Sequence, residues 1–412
     1  TTLLIFSSCT SSDDPVKKIS KDDVYSYLQY LNVKDAKAIY YKQSSSRSIA
    51  SQDEGWYKLD FSGKEAKLIV TPNDTTRYQI SIDRLEKLSD DYLLIWPNLA
   101  DVMSAISDNN KNNVEIKQTD DISTMNLMSL VDTKTGKIYR WPDDAPVIQS
   151  EGDLSSKTDS KGNILFAFKF NSYTQVYRLD TKKISVEALL PENISFDIFA
   201  PLNEQDVIYG KGTDINMLEA YVKLANGSIF PVPTNQLPFI FGDKLYTIDS
   251  TTGNISRYDT AGENGLLQPT EILQENDLRN YTSLDAVPNP LHETILLGFL
   301  YEFDGKAIVR KLSHKLYIST PWTTVNAWYN LTQNNTLEKI SMEDYSESTI
   351  TFPNDIKVQG ITTTPDSPDV KFYGYRYQDG KSIIGTISNE GKVTVDHVSE
   401  GNNAIVKLIP LN

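Results

Sequence analysis

LVDTKTGKIYRW, residues 130–141, reads as a β-hairpin with its turn chemistry written out residue by residue. An apolar strand runs into Asp132, whose carboxylate is suited to accept backbone N–H groups across a turn. Gly136 follows, free to take a positive φ and close the loop, and the next strand alternates its faces up to Trp141. TIDSTTGNISRY, residues 247–258, repeats the pattern with Asp249 and Gly253 in the matching places and Tyr258 at the end.

Weaker copies start at Trp56, Gln175, Ala220, Trp328 and Ile383. Further apolar runs precede several of them: DYLLIW at 91, NILFAF at 163, QDVIYG at 205, ETILLGF at 293 and VKFYGYRY at 370. The unit is strand, loop, hairpin, and where it is clearest it recurs at about 45 residues, the length of a β-propeller blade. One four-stranded sheet cannot bury both faces alone, whereas a closed ring of sheets can. The expected fold is therefore all-β: a propeller of about seven blades, with six or eight also compatible with the length. A pair of β-sandwich domains is the alternative, and the repeated hairpin favours the propeller. Helix is a minor component. Ser20 can cap a short helix with Asp22 and Asp23 in its first turn, and residues 98–107 place Leu99, Val102, Met103 and Ile106 in register. The propeller is expected to span 16–412 as one domain, with rim insertions near 98–121 and 259–327. The Asn-rich part of the first, 107–121, reads as disordered.

The pattern D-x-x-T-G-x-x-x-x-aromatic resembles the repeats of quinoprotein-like propellers. Trp141 and Tyr258 stand one position later than in that repeat, which places the ring on the other face of the strand. The resemblance implies the fold and no quinone, so no cofactor is expected.

The 412 residues carry a net charge of −15, which lowers the expectation of nucleic-acid binding. Cys9 is the one cysteine, so neither an internal disulfide nor a cysteine-built zinc site is available. It follows the apolar stub LLIFSS and precedes Asp13 and Asp14. The stub resembles a bacterial lipobox of the relaxed kind found in Bacteroidota, with Phe6 at position −3. That resemblance implies lipidation of Cys9, a membrane tether through residues 1–15, and a surface-export signal at Asp13 and Asp14. The implied location is the outer membrane, with the body exposed at the cell surface or on the periplasmic face.

Chemistry-bearing motifs are sparse. His292, His314 and His397 stand apart from one another without metal-ligand spacing, and His397 beside Asp396 reads as surface decoration. The insertion around STPWTTVNAWYNL, 319–331, offers Trp322, Trp328 and Tyr329 as rim aromatics that could stack on sugars. The favoured function is a non-catalytic surface lipoprotein that binds or scaffolds a glycan, a peptide or a partner protein. The alternatives are a glycoside hydrolase or lyase with two or three carboxylates converging at the ring centre, and a structural component of a membrane assembly.

Overall fold

The 130–141 hairpin forms as its residues predict. Ser129–Asp132 pairs antiparallel with Ile138–Arg140. Asp132 Oδ1 accepts the amides of Lys134 at 2.8 Å and Thr135 at 3.0 Å, and Gly136 sits at φ 75°. In the second copy Asp249 Oδ1 accepts from Thr251 at 2.8 Å and Thr252 at 3.0 Å, with Gly253 at φ 77°. The same carboxylate turn recurs at Asp60, Asp180 and Asp304.

A computed structural model of the chain describes residues 17–411, apart from 45–52, 73–77, 110–115, 118–126, 143–152, 159–161, 170–173, 189–198, 202–206, 212–218, 224–228, 233–234, 243, 260–267, 275–277, 280–285, 319–321, 365 and 402. Among the described residues, eight four-stranded antiparallel sheets follow one another as the blades of a β-propeller. This is one more than the seven expected and lies within the range of six to eight. Blade 1 holds Ala36–Gln43, Gly55–Asp60 and Glu65–Lys67, and its first place is filled by the last strand of the chain, Ala404–Pro410. Blade 2 spans 82–140, blade 3 153–188, blade 4 199–232 and blade 5 236–274. Blade 6 spans 286–311, blade 7 322–351 and blade 8 356–398.

The two founding hairpins occupy different places in their blades. The pair around Asp132 is the third and fourth strands of blade 2, whereas the pair around Asp249 is the second and third strands of blade 5. Spacing read from matching turns is thus out of phase by one strand, although every strand that the turns imply is present.

Why the sheets form a ring follows from alternation. In Tyr92–Pro97, Leu93 and Ile95 enter the core shared with blade 1, while Leu94 between them enters the core shared with blade 3. In blade 6, Ile295 and Leu297 face blade 5 and Leu296 faces blade 7. In blade 7, Trp328 faces blade 6, and Ala327 and Tyr329 face blade 8. Ile383 and Ile384 of blade 8 divide between blade 7 and blade 1. These strands of blades 2, 6, 7 and 8 therefore each supply two cores.

The N-terminal arm covers an edge. Helix α1, Lys21–Tyr25, is capped by Ser20 in a reciprocal capping box with Asp23. It ends at Tyr25, and Tyr27, Leu28 and Leu31 reach the core through the turn and short strand that follow. Leu31 N donates to Gly136 O at 2.8 Å, and Ile138 N to Gln29 O at 2.8 Å, which pairs the outer edge of blade 2 with the arm. Helix α2, Leu99–Asn109, occupies the 98–121 insertion with Val102 and Ile106 buried, and Ile116–Lys117 pairs in parallel with Lys17–Lys18. Most of the stretch expected to be disordered lies outside the described residues. The interval 259–327 is not an insertion: it contains the last strand of blade 5, all of blade 6 and the first strand of blade 7. The turns of blade 6 lack the D-x-x-T-G signature, so its strands carry no mark of the repeat.

Candidate functional site

The aromatic set expected on a rim is divided by the fold. Trp328 is 0% exposed, packed between blades 6 and 7 with its ring stacked on Tyr345 at 6.2 Å. Tyr329 is 1% exposed in the next core. Neither ring is available to a ligand, which corrects both assignments; alternation along Ala327–Leu331 sends them into neighbouring cores. Trp322 is half-buried against the core between blades 7 and 8, on a two-residue strand that pairs with Tyr329 and Trp328. Cys9, Asp13 and Asp14 lie outside the described residues.

The histidines do not stand alone. His397 Nε2 lies 3.0 Å from Glu65 Oε2 across the seam that closes the ring, between blade 8 and blade 1. Strict alternation fails here: the register shifts between Ile384 and Gly385, and both side chains lie toward blade 1, Asp396 on Thr386 and Lys371 and His397 on Glu65. The surface-decoration reading of His397 is therefore corrected, since its side chain is only 10% exposed. Around Glu65 converge Tyr40 Oη, Lys42 Nζ, His397 and Ser399 Oγ, the last at 3.2 Å. Lys42 is itself buried, lies 4.2 Å from the Tyr57 ring centre, and also donates to Glu400 O at 3.1 Å. Burial alone would push the Glu65 carboxyl up. Hydrogen bonds from His397, Lys42 and Tyr40, with the charge of Lys42, overcome it and hold the group down at about 2. Burial and the bond to that carboxylate push the Tyr40 hydroxyl far up.

A second carboxylate repeats the chemistry in blade 6. Glu302 receives His292 Nδ1 at 2.5 Å, Thr294 Oγ1 at 2.9 Å and Arg310 Nε at 3.4 Å, together with the Tyr345 hydroxyl from blade 7. Burial raises this group too, and the bonds from Tyr345, His292 and Thr294 bring it below the ordinary range. Both networks consist of Glu, His, Tyr, a hydroxyl and a cation. Each surrounds one carboxylate with donors of the same chain, which is the arrangement of a structural bond network. His314 pairs with Glu347 at 2.7 Å on an exposed surface between blades 6 and 7. Among the described residues no group of three or more His, Cys, Asp or Glu side chains is placed to hold a metal ion.

Sequence reasoning missed Glu65, Lys42 and Glu302. One local signal existed: Tyr40 and Lys42 share a face of a strand whose neighbours are apolar, which turns a lysine toward the core.

On the same seam lies a cleft of ≈ 250 Å³ between blades 1 and 8. Its apolar lining includes Ala38, Leu59, Ile384 and Leu408, members of the core between those blades. Its polar lining includes Lys371, Asp369 and Asp396, and the exposed Phe61 also lines it. Lys371 Nζ lies 3.4 Å from Asp396 Oδ2, with Thr386 bonded to both, and Asp369 Oδ1 takes the Asn389 amide at 3.1 Å.

No family model and no curated protein matches the chain. Among solved structures it is similar to a puromycin hydrolase at 9% identity and TM-score 0.38, covering 77% of this chain and 54% of that one. It is similar to TolB from Acinetobacter baumannii at 11% and 0.31, covering 69% and 62%. It is also similar to a quinonprotein alcohol dehydrogenase-like protein from Bacteroides thetaiotaomicron at 13% and 0.36, covering 91% and 92%. The chain thus spans about half the length of the puromycin hydrolase. Likenesses this distant assign no activity, and the fold rests on the strand pairing and shared cores of the chain itself.

Proposed function

We propose that the chain is a lipid-tethered propeller that binds or scaffolds a partner and does not cleave one. The observation that carries the reading is the fate of two enclosed carboxylates among the described residues. Glu65 and Glu302 lie in separate blades, each enclosed by a histidine, a tyrosine, a hydroxyl and a cation of the same chain. A hydrolase or lyase of sugars needs two such groups facing one substrate. These two are occupied in holding strands and blades together.

The tether is the lipidated Cys9, with Asp13 and Asp14 directing the body to the cell surface. Acyl chains supply the membrane affinity that a chain of net charge −15 lacks. Glycan is the ligand class that the rim aromatics suggested. With Trp328 and Tyr329 buried, that class depends on Trp322 alone.

The tether is tested by feeding an alkyne fatty acid to cells expressing the full gene and comparing the natural protein with Cys9→Ser. Label on the variant equal to that on the natural protein removes the anchor. Binding without cleavage is tested by incubating the chain with a polysaccharide panel and assaying new reducing ends and unsaturated products. Turnover of any panel member refutes the non-catalytic reading.

A further inference from the structure

We infer that the cleft between blades 1 and 8 seats an apolar side chain of a peptide segment from a partner protein and grips the adjoining peptide group at its lip. The inference rests on the reading of the chain as a binding module and names the ligand class. Three features point to it.

The floor is aliphatic. Ala38, Leu59, Ile384 and Leu408 line it, buried members of the core already formed by the two blades. A hydrocarbon group entering there extends that core and leaves water. A sugar is the wrong shape of chemistry for such a floor, because its hydroxyls surround the ring and would be buried against methyl groups without partners.

The second feature is Phe61, 72% exposed. It sits in the turn after Gly55–Asp60, where Asp60 Oδ1 accepts the amides of Ser62 at 2.9 Å and Lys64 at 2.8 Å. The turn fixes the backbone that carries the ring at the edge of an apolar cleft, as a wall that a guest can complete.

The third feature is the balance of charge. Lys37 and Lys371 face Asp369 and Asp396 around the cleft. Lys371 and Asp396 are tied together through Thr386, and Asp369 is fixed by the Asn389 amide. Two cations and two anions give a neutral lip that offers donors and acceptors side by side. The unit that satisfies both, carries no charge and stands next to an apolar group is a peptide amide bearing its side chain. A volume of ≈ 250 Å³ suits one large side chain with part of its backbone.

The test uses immobilised octapeptides, N-acetylated and C-amidated, of Gly and Ser with Leu, Phe, Ser, Asp or Lys at the fourth position. The chain should bind the Leu and Phe peptides and ignore the others. Phe61→Ala should weaken binding about tenfold, and Thr364→Trp, which fills the cleft from a half-buried loop position, should abolish it. Unchanged urea midpoints for both variants certify folding. Binding that is indifferent to the fourth residue, or that survives Thr364→Trp, overturns the inference. A glycan array run in parallel separates the two levels. Glycan binding lost on Trp322→Ala and untouched by Thr364→Trp keeps the binding module and removes the peptide cleft. A folded chain that binds neither class ends both.

Discussion

Glu65→Gln isolates the contribution of the charged seam that closes the ring. The substitution keeps size, exchanges one acceptor oxygen for an amide donor among groups that all donate, and removes the charge that answers Lys42. The two side chains are 2% and 11% exposed, so solvent screens them little. Lys42 would be left buried without an anionic partner, facing neutral groups such as Glu400 O and the Tyr57 ring. Removing one member of a buried ion pair costs about 3–5 kcal/mol. The pH route gives a compatible figure. The Glu65 carboxyl stands at about 2 in the folded chain against an ordinary value of 4.5, a difference of about 3 kcal/mol. Because the folded value is depressed, this stability is complete above pH 4.5 and drains away as pH falls toward 2. The assay is urea unfolding followed by circular dichroism at pH 7 and at steps down to pH 3. Glu65→Gln should lower stability by about 3–5 kcal/mol at pH 7, and by progressively less as the medium acidifies. Adding Lys42→Met should recover about 2 kcal/mol or more, since the orphaned charge is then gone. A loss below about 1 kcal/mol, or a double variant no better than the single one, would refute the reasoning.

Gly136→Ala should be far more damaging than Gly63→Ala. Both glycines have positive φ, but a Cβ at Gly136 would stand 2.3 Å from Leu31 O, whereas one at Gly63 meets nothing within 4 Å. The open site should lose only the left-handed penalty of about 1–2 kcal/mol, and urea midpoints of the two variants measure the excess at Gly136. Trp328→Ala empties a fully buried site and should cost about 3–5 kcal/mol, against a smaller loss for half-buried Trp322→Ala; equal losses in thermal unfolding would contradict the packing described. Deleting 404–412 removes the first strand of blade 1 and should abolish cooperative unfolding and expose the chain to protease, a result that an open, unclosed array would not give.

What the sequence settled by itself was local. The carboxylate turns at Asp132 and Asp249, the cap at Ser20 and the apolar face of α2 are legible because each is made by groups within a few residues of one another. Alternation then made strands two-faced, which calls for neighbouring sheets, and the repeated hairpin favoured a ring of them. Tertiary structure alone decided the rest. Trp322, Trp328 and Tyr329 look alike in sequence, and only the pairing of their strands sends two of them into separate cores. His397 and Glu65 are 332 residues apart, and no local preference joins them. They meet because the last strand returns to the first blade, so the closing seam, its His397–Glu65 contact and its cleft exist only once the ring is complete.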